Sequence, residues 1–299
     1  MNRRSRIAIA VLVVLGVIAL LAWYLHGRNI AVLDPTGLVA EKERNLIIIG
    51  VLLSAIVVIP VYIMTVSIAW KYRESNTKAS YKPDWDHSRL YESIWWGIPI
   101  VIISILSVIT WQSAHELDPF KTLNSKVQPL NVQVIALDWK WLFIYPSQNI
   151  ASVNLIGIPE NTPIDFEISS DTVMNSFWIP NLGGQIYAMP GMTTQLHLIS
   201  NKIGSYYGSS ANISGTGFAG MVFRAKSMSV SGFDSWVHTA QSSPNHLTMN
   251  AYHELAMPSE YNPVAYFSSV ANDLYNSTVV KYMVPANQSP NSMMLGGNM

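Results

Sequence analysis

Three long apolar runs in the first third of the chain set the strongest limit on its fold. They cover residues 7–25, 46–70 and 94–111, and none of them contains a charged side chain. A helix needs about 20 mostly apolar residues to cross the hydrocarbon core of a bilayer. All three runs are too long and too apolar for the buried helices of a soluble domain. The sequence therefore predicts a membrane protein.

The first run has two interpretations. It follows Arg3, Arg4 and Arg6. A basic start before an apolar stretch is typical of a secretory signal peptide. The run is longer than the apolar core of a usual signal peptide, which has roughly 7–15 residues. We therefore expect residues 1–27 to form a retained signal anchor, with a cleaved signal peptide as the alternative. The residues after this run include Arg28 and the chain has no cysteine to carry a lipid, so lipidation is not predicted.

The other two runs predict a transmembrane helical hairpin over residues 28–115, with spans at about 46–70 and 94–111. Positive charge marks the cytoplasmic side of a membrane protein. The link between the spans is rich in basic residues: Lys71, Arg73, Lys78, Lys82 and Arg89. The link is thus expected in the cytoplasm, and everything after the second span is expected outside.

Charge and cysteine content exclude several classes of function. The formal net charge is zero, and residues 116–299 carry 7 Lys and Arg against 11 Asp and Glu. A slightly acidic outer part argues against nucleic-acid binding, which usually shows a basic patch. The chain has no cysteine, so it can form neither a disulfide nor a zinc–thiolate site.

After the hairpin the pattern changes to short alternating runs separated by turn residues. Residues 131–137, 163–168 and 194–199 alternate in this way, which predicts a β-sandwich or β-barrel over residues 128–228. Residues 233–283 are rich in aromatic side chains and show helical spacing, with segments starting near Phe233 and Pro263. Residues 284–299 are expected to be a disordered tail.

One loop carries the clearest functional signal. Residues 206–221 read YYGSSANISGTGFAGM. This stretch resembles the loop Cys-Ser-Glu-x-Cys-Gly-x-x-His-x-x-Met, which holds the binuclear copper centre CuA in subunit II of haem–copper oxidases. The upstream segment from Asn175 to Pro180 resembles the family's His-Ser-Phe-x-x-Pro. Of the usual ligands only Met221 is kept; the lost positions hold Asn175, Ser210, Asn212, Ser214 and Phe218.

The replaced side chains decide which branch of the family the chain resembles. A binuclear copper centre needs thiolates and imidazoles, which are soft or borderline donors, and hydroxyl, amide and phenyl groups cannot replace them. The chain is therefore similar to subunit II of cytochrome bo-type ubiquinol oxidases. The resemblance implies a cupredoxin-like β-barrel, an aromatic-rich helical C-terminal extension and no metal in this chain. The predicted fold class is an α+β membrane protein.

The same resemblance implies the rest of the complex. Haem b, haem o and a mononuclear copper are expected in subunit I, and no cofactor is expected in this chain. The expected partners are subunit I, subunits III and IV, membrane lipid and ubiquinol, in a bacterial inner membrane with the C-terminal domain on the periplasmic side. Two alternatives stay open: a subunit of a menaquinol oxidase, and a membrane-anchored cupredoxin-like binding or assembly module.

Glu92 is the strongest candidate for a residue that carries chemistry. It precedes the third apolar run, in a segment that resembles the family's entrance to the proton pathway called the K channel. A carboxylate at the membrane edge can collect protons from water. Without the resemblance, Glu92 is also explained as a helix-start glutamate favoured by the helix dipole.

Two further features are interpreted as structural. Trp139 matches the tryptophan that receives electrons in copper-bearing relatives, but without copper we interpret it as a packing residue or a contact with subunit I. Met221 together with Met189, Met192 or His197 could form a residual mononuclear copper site. A structural or surface role for His197 is the preferred interpretation, because it lies within an alternating strand.

Overall fold

The computed structural model describes residues 16–17, 19–20, 23–24, 30–80, 84 and 86–283. The predicted tail at 284–299 lies outside the described residues. The predicted anchor at 1–27 also lies outside them, except for six residues between 16 and 24, which are helical.

Two long helices contain the second and third apolar runs. Helix α1 covers Leu38–Lys71 and helix α2 covers Arg89–Glu116. Both are long and apolar enough to cross a membrane, and their most apolar windows are not buried inside the protein. At 1.5 Å per residue, α1 is about 51 Å long, so it extends beyond a hydrocarbon core of about 30 Å. Pro60 and Pro99 lie inside these helices, where each removes a backbone hydrogen bond.

The start of α1 is joined to the domain that follows the hairpin. The backbone N–H of Thr36 donates to Asn181, and that of Ala40 donates to Leu182. Gly37 forms an isolated antiparallel bridge with Ser200. A side chain at Gly37 would meet the carbonyl oxygen of residue 199 at 2.6 Å, so glycine is required for this approach. These contacts tie the first turn of α1 to the β-rich domain and leave the described residues of the link, 72–80, 84 and 86–88, at the far end of the hairpin.

Eleven β-strands are found in the described residues after the hairpin. They are β1 Leu130–Leu137, β2 Lys140–Tyr145, β3 Ile150–Val153, β4 Leu155–Pro159, β5 Pro163–Ser170, β6 Asn175–Trp178, β7 Ile186–Ala188, β8 Thr194–Ile199, β9 Gly204–Ser210, β10 Val222–Met228 and β11 Ala265–Phe267. A six-stranded sheet has the order β11-β3-β2-β1-β5-β8, and a five-stranded sheet has the order β4-β10-β9-β6-β7. The pairs β1–β5 and β10–β4 are parallel, and the other pairs are antiparallel.

The two sheets enclose one apolar core, as expected for a cupredoxin-like barrel. Aromatic rings fill its centre: Phe177 stacks on Phe223 at 5.2 Å between ring centroids, and Trp141 meets both rings edge-on. Gly208 lies beneath Phe223, where an added Cβ would be 2.2 Å from the ring. This packing fixes strands β6, β9 and β10, which carry the candidate site.

The C-terminal extension is only partly helical. Helices α3 Val230–Gln241, α4 Met249–Ala256 and α5 Leu274–Val280 follow the barrel. The predicted helical segment starting at Pro263 is wrong, because residues 265–267 form strand β11. This strand pairs with β3 and extends the six-stranded sheet. The free edge of β3 offers backbone hydrogen bonds that a short aromatic segment satisfies better as a strand than as an isolated helix.

Asp171 fastens the end of the extension to the barrel. Its side chain is almost fully buried and accepts hydrogen bonds from Tyr252, Lys281 and Tyr282 at 2.7, 2.7 and 2.9 Å. Burial raises the pKa of both tyrosines, and the carboxylate raises it further. Burial lowers the pKa of Lys281, but its contact with Asp171 outweighs this and the net shift is upward.

We expect alkaline pH to loosen this attachment. All three donors have folded-state pKa values above their ordinary values of 10.0 and 10.5. Their contribution is therefore complete below about pH 10 and is lost as the pH rises through the raised values. Asp171→Asn should weaken the attachment already at neutral pH, by about 1–3 kcal/mol. Amide hydrogen exchange of residues 274–283 measures both effects, with the exposed Asp234→Asn as control. Unchanged exchange in Asp171→Asn would contradict this account.

Candidate functional site: a former metal pocket

The loop that resembles the copper-binding loop joins β9 to β10. It contains a 3₁₀ helix at Thr216–Gly220 and ends at Met221. Strand β6 pairs with β9 through Phe177 and Ser210, so Asn175 and the loop are brought to the same end of the sheet. The positions predicted from two distant parts of the sequence are thus neighbours in the fold.

A network of amide and hydroxyl groups occupies two of the positions that match the metal ligands. The buried Asn175 and Ser210 share a hydrogen bond of 3.0 Å, which the serine Oγ donates to the amide oxygen. The amide nitrogen of Asn175 donates to Val173. Ser210 Oγ also accepts hydrogen bonds from the backbone N–H groups of Ser176 and Asn212. The two buried side chains satisfy each other and leave little capacity for a metal ion.

The other pocket positions serve as loop contacts. The side-chain amide of Asn212 donates to the carbonyl of Met174 at 3.1 Å. Ser214 Oγ lies 3.9 Å from the sulfur of Met221, which is buried. Phe218 is half-buried, and its carbonyl accepts the backbone N–H of Met221. These residues hold the loop closed through local hydrogen bonds.

Trp139 covers the loop as a packing residue. Its indole N–H donates to the carbonyl of Ser214 at 3.2 Å, and its ring lies on Gly217, where an added Cβ would be 2.3 Å away. Gly215 has a φ of 120°, which disfavours other residues. Tyr261 from the extension lies over Gly220 in a similar way, at 3.0 Å from an added Cβ. Two aromatic rings therefore press the loop onto the barrel.

The donor set does not fit a binuclear copper centre. The chain has no thiolate to bridge two copper ions, and the imidazole positions hold Asn175 and Phe218. His197 does not reach the pocket as a ligand, because it lies on β8 and pairs with Asp165 in the six-stranded sheet. Among the described residues, no group of three or more His, Cys, Asp or Glu side chains could hold a metal ion.

Ser210→Ala should destabilise the barrel by about 1–3 kcal/mol, because the amide oxygen of Asn175 and two backbone N–H groups lose a buried partner. Ser214→Ala is the matched control: its hydroxyl contacts only the sulfur of Met221 in the described structure, so we expect a change within about 0.5 kcal/mol. Urea unfolding followed by tryptophan fluorescence measures both. Equal stabilities of the two variants would contradict a structural role for the network.

Glu92 lies in the first turns of α2, away from the barrel. Its Oε1 is 2.5 Å from Nδ1 of His87 and accepts the backbone N–H of Ser88 at 3.2 Å. The carboxylate is one-third exposed. The arrangement suits a group that helps to start the helix.

The sequence interpretation did not single out Glu43 or Asp165. Glu43 lies in α1 and lines two cavities against the barrel, and Asp165 pairs with the buried His197 at 2.6 Å. The sequence signal for these residues is weak. Glu43 is a glutamate just before an apolar run, and Asp165 and His197 lie on separate predicted strands. Only the sheet register brings the second pair together.

Two family models match the chain after the hairpin. One describes the periplasmic domain of cytochrome c oxidase subunit II and matches residues 146–228. The other describes the COX aromatic-rich motif and matches residues 241–286. The barrel, the copper-loop frame and the aromatic extension together define a subunit II of the haem–copper oxidase type.

Individual relatives that match most of the chain identify its family more narrowly than the two family models do. The cytochrome bo(3) ubiquinol oxidase subunit 2 of Pseudomonas aeruginosa is 52% identical over 87% of this chain and 79% of the relative. The protein of the same name from Pseudomonas putida is 54% identical over 86% of this chain and 82% of the relative. The ubiquinol oxidase subunit 2 of Acetobacter aceti is 51% identical over 87% of this chain and 85% of the relative. The chain belongs to the ubiquinol oxidase subunit 2 family, and as a subunit II it works with a subunit I. Its apolar helices and periplasmic-type domain fit a protein of the inner membrane.

Proposed function

We propose that this chain is the non-redox subunit II of a proton-pumping terminal oxidase, which couples ubiquinol oxidation to the reduction of oxygen to water. The observation that carries the proposal is the former metal pocket, in which Asn175 and Ser210 satisfy each other and no thiolate is present. Electrons then bypass this chain and enter subunit I directly from quinol. Haem b, haem o and a mononuclear copper lie in subunit I.

The chain anchors and caps subunit I. Helices α1 and α2 expose apolar side chains on all sides, which suits packing against other helices and lipid. The barrel is tied to the first turn of α1 and so is held close to the membrane surface. In this proposal the chain crosses the membrane more than once, with the link at 72–88 in the cytoplasm and the barrel in the periplasm. Subunits III and IV complete the complex.

Glu92 is the proton-entry residue of this subunit. The basic link places the start of α2 on the cytoplasmic side under the positive-inside rule. A one-third exposed carboxylate there can take protons from water and pass them to a pathway in subunit I.

The test is purification of the complex in detergent. The chain should be recovered with a polytopic partner whose visible spectrum contains haem b and an oxygen-binding haem, without the near-infrared band of CuA. The preparation should oxidise ubiquinol in the presence of oxygen. Recovery of the chain alone would favour the binding or assembly module, and oxidation of menaquinol but not ubiquinol would change the assigned substrate.

A further inference from the structure

A crevice lies between helices α1 and α2 and has a volume of about 380 Å³. Leu46, Ile49 and Gly50 line it on α1, and Leu106 and Ile109 are among the residues that line it on α2. All five belong to the apolar runs, and the most apolar windows of the two helices are not buried inside the protein. In a membrane, this surface is covered either by a helix of a partner or by lipid.

The crevice lies at the end of the hairpin that is tied to the barrel. Leu46 also lines a cavity that is lined by Trp178 and Pro180 of the barrel. One helical turn before Leu46, Nζ of Lys42 lies 2.5 Å from Oε1 of Glu116, and this ion pair joins the two helices beside the crevice. In the proposed orientation this end of the hairpin faces the periplasm. The crevice therefore lies in the outer half of the bilayer.

A rim of charged residues of both signs adjoins the crevice. Leu117 lines the crevice and also a smaller cavity of about 100 Å³, whose lining includes Glu43, Asp118 and Lys121. Among the described residues, none of these three charged side chains has an ion-pair partner. Together with the ion pair that joins the helices, the rim holds three carboxylates and two lysines, a net charge of −1. Unpaired charges of both signs thus lie next to an apolar surface.

We propose that the crevice and its rim bind one molecule of phosphatidylethanolamine, which joins the hairpin to the barrel. This role rests on the proposed placement of the hairpin in the membrane. One acyl chain lies in the crevice, against the aliphatic side chains of both helices. The ammonium group of the lipid pairs with the free carboxylates of Glu43 and Asp118, and the phosphate pairs with Lys121.

The separation of apolar and charged residues along the site favours this occupant. A transmembrane helix of a partner could cover the aliphatic part, but its apolar side chains would leave the charges of the rim without partners. An anionic phospholipid offers a phosphate for Lys121 and no cation for the carboxylates, which are in excess. The primary ammonium group of phosphatidylethanolamine carries a positive charge and also donates hydrogen bonds, and such charge-assisted bonds to carboxylates are strong.

The test counts the lipids that stay bound to the purified complex. The complex is reconstituted in vesicles of equal parts phosphatidylethanolamine and phosphatidylglycerol, returned to mild detergent, and weighed with its lipids by native mass spectrometry. The original complex should retain phosphatidylethanolamine, and Gly50→Leu should lose one molecule of it. An added Cβ at Gly50 meets no atom within 4 Å, so the leucine side chain has room to fill the crevice. Gly97→Leu is the matched control, because Gly97 lies on α2 with equally open space and does not line the crevice.

Asp118→Lys tests the headgroup without changing the crevice. Asp118 is exposed, and its replacement by lysine changes the net charge of the rim from −1 to +1. We expect the ratio of phosphatidylglycerol to phosphatidylethanolamine at this site to rise by about fivefold, which is the effect of roughly one added basic residue on the binding of an anionic lipid. The same mass measurement on the reconstituted complex gives this ratio.

Each variant complex is first checked for haem content and ubiquinol oxidation. Loss of the haem-bearing partner from Gly50→Leu but not from Gly97→Leu would show that a partner helix fills the crevice, which would overturn the lipid site. An unchanged lipid set in Gly50→Leu and Asp118→Lys, with full haem content, would also overturn it and would leave the proposed function intact. If the original chain is recovered without a haem-bearing partner, the proposed function fails, and the lipid count on the chain alone still decides the site.

Discussion

Glu92→Gln should reduce ubiquinol-driven oxygen consumption of the complex by about tenfold. Glutamine keeps the shape of the side chain, and its carbonyl can still accept the backbone N–H of Ser88. It cannot take up and release a proton, so a carboxylate that feeds a proton pathway loses its role. The measurement is the rate of oxygen uptake with excess quinol, together with the number of protons pumped per electron.

Two variants separate this role from a contribution to the helix start. A carboxylate near a helix N-terminus stabilises the helix by about 0.3–1 kcal/mol, which would not slow turnover tenfold. Glu92→Asp keeps the proton-carrying group and should retain most of the activity. Glu74→Gln removes an exposed carboxylate from the same link and should have no effect. Unchanged oxygen consumption and proton pumping in Glu92→Gln would contradict a role for Glu92 in proton entry.

Much of the membrane part could be predicted because its signal is local. An apolar run of sufficient length has few stable alternatives to a membrane helix, and residues 46–70 and 94–111 lie inside α1 and α2. The positions that match the metal ligands could be found because the loop keeps the glycine of the motif, Gly215, and Met221. The fold then brings Asn175 to the same place through pairing of β6 and β9.

The errors arise where long-range contacts decide the structure. Residues 265–267 contain aromatic side chains whose spacing is compatible with a helix. They form a strand instead, because they pair with the edge of β3. The pairing of His197 with Asp165 depends on the register of β5 and β8. Glu43 becomes notable only because a distant turn, with Gly184, packs on its helix. None of these contacts leaves a periodic pattern in the sequence.

Lys140→Met should detach much of the C-terminal extension and destabilise the barrel by about 3 kcal/mol. Lys140 is 1% exposed, and its ammonium group donates to the carbonyls of Leu255 and Met257 at 2.8 and 2.7 Å. Burial lowers the pKa of Lys140, and the nearby Asp138 opposes this shift. The two carbonyls lie at the C-terminal end of α4, where the helix dipole favours a cation.

Methionine fills a similar volume but cannot donate, so both carbonyls lose a charged donor, each hydrogen bond contributing about 1.5–3 kcal/mol. Lys226→Met is the matched control, since Lys226 is exposed on β10 and should change stability by no more than about 0.5 kcal/mol. Hydrogen exchange over residues 249–283, with urea unfolding, measures both variants. Faster exchange in the extension, together with a lower free energy of unfolding, in Lys140→Met would show that this lysine joins the end of α4 to the barrel. Equal exchange in the two variants would show that the extension is held by its other contacts.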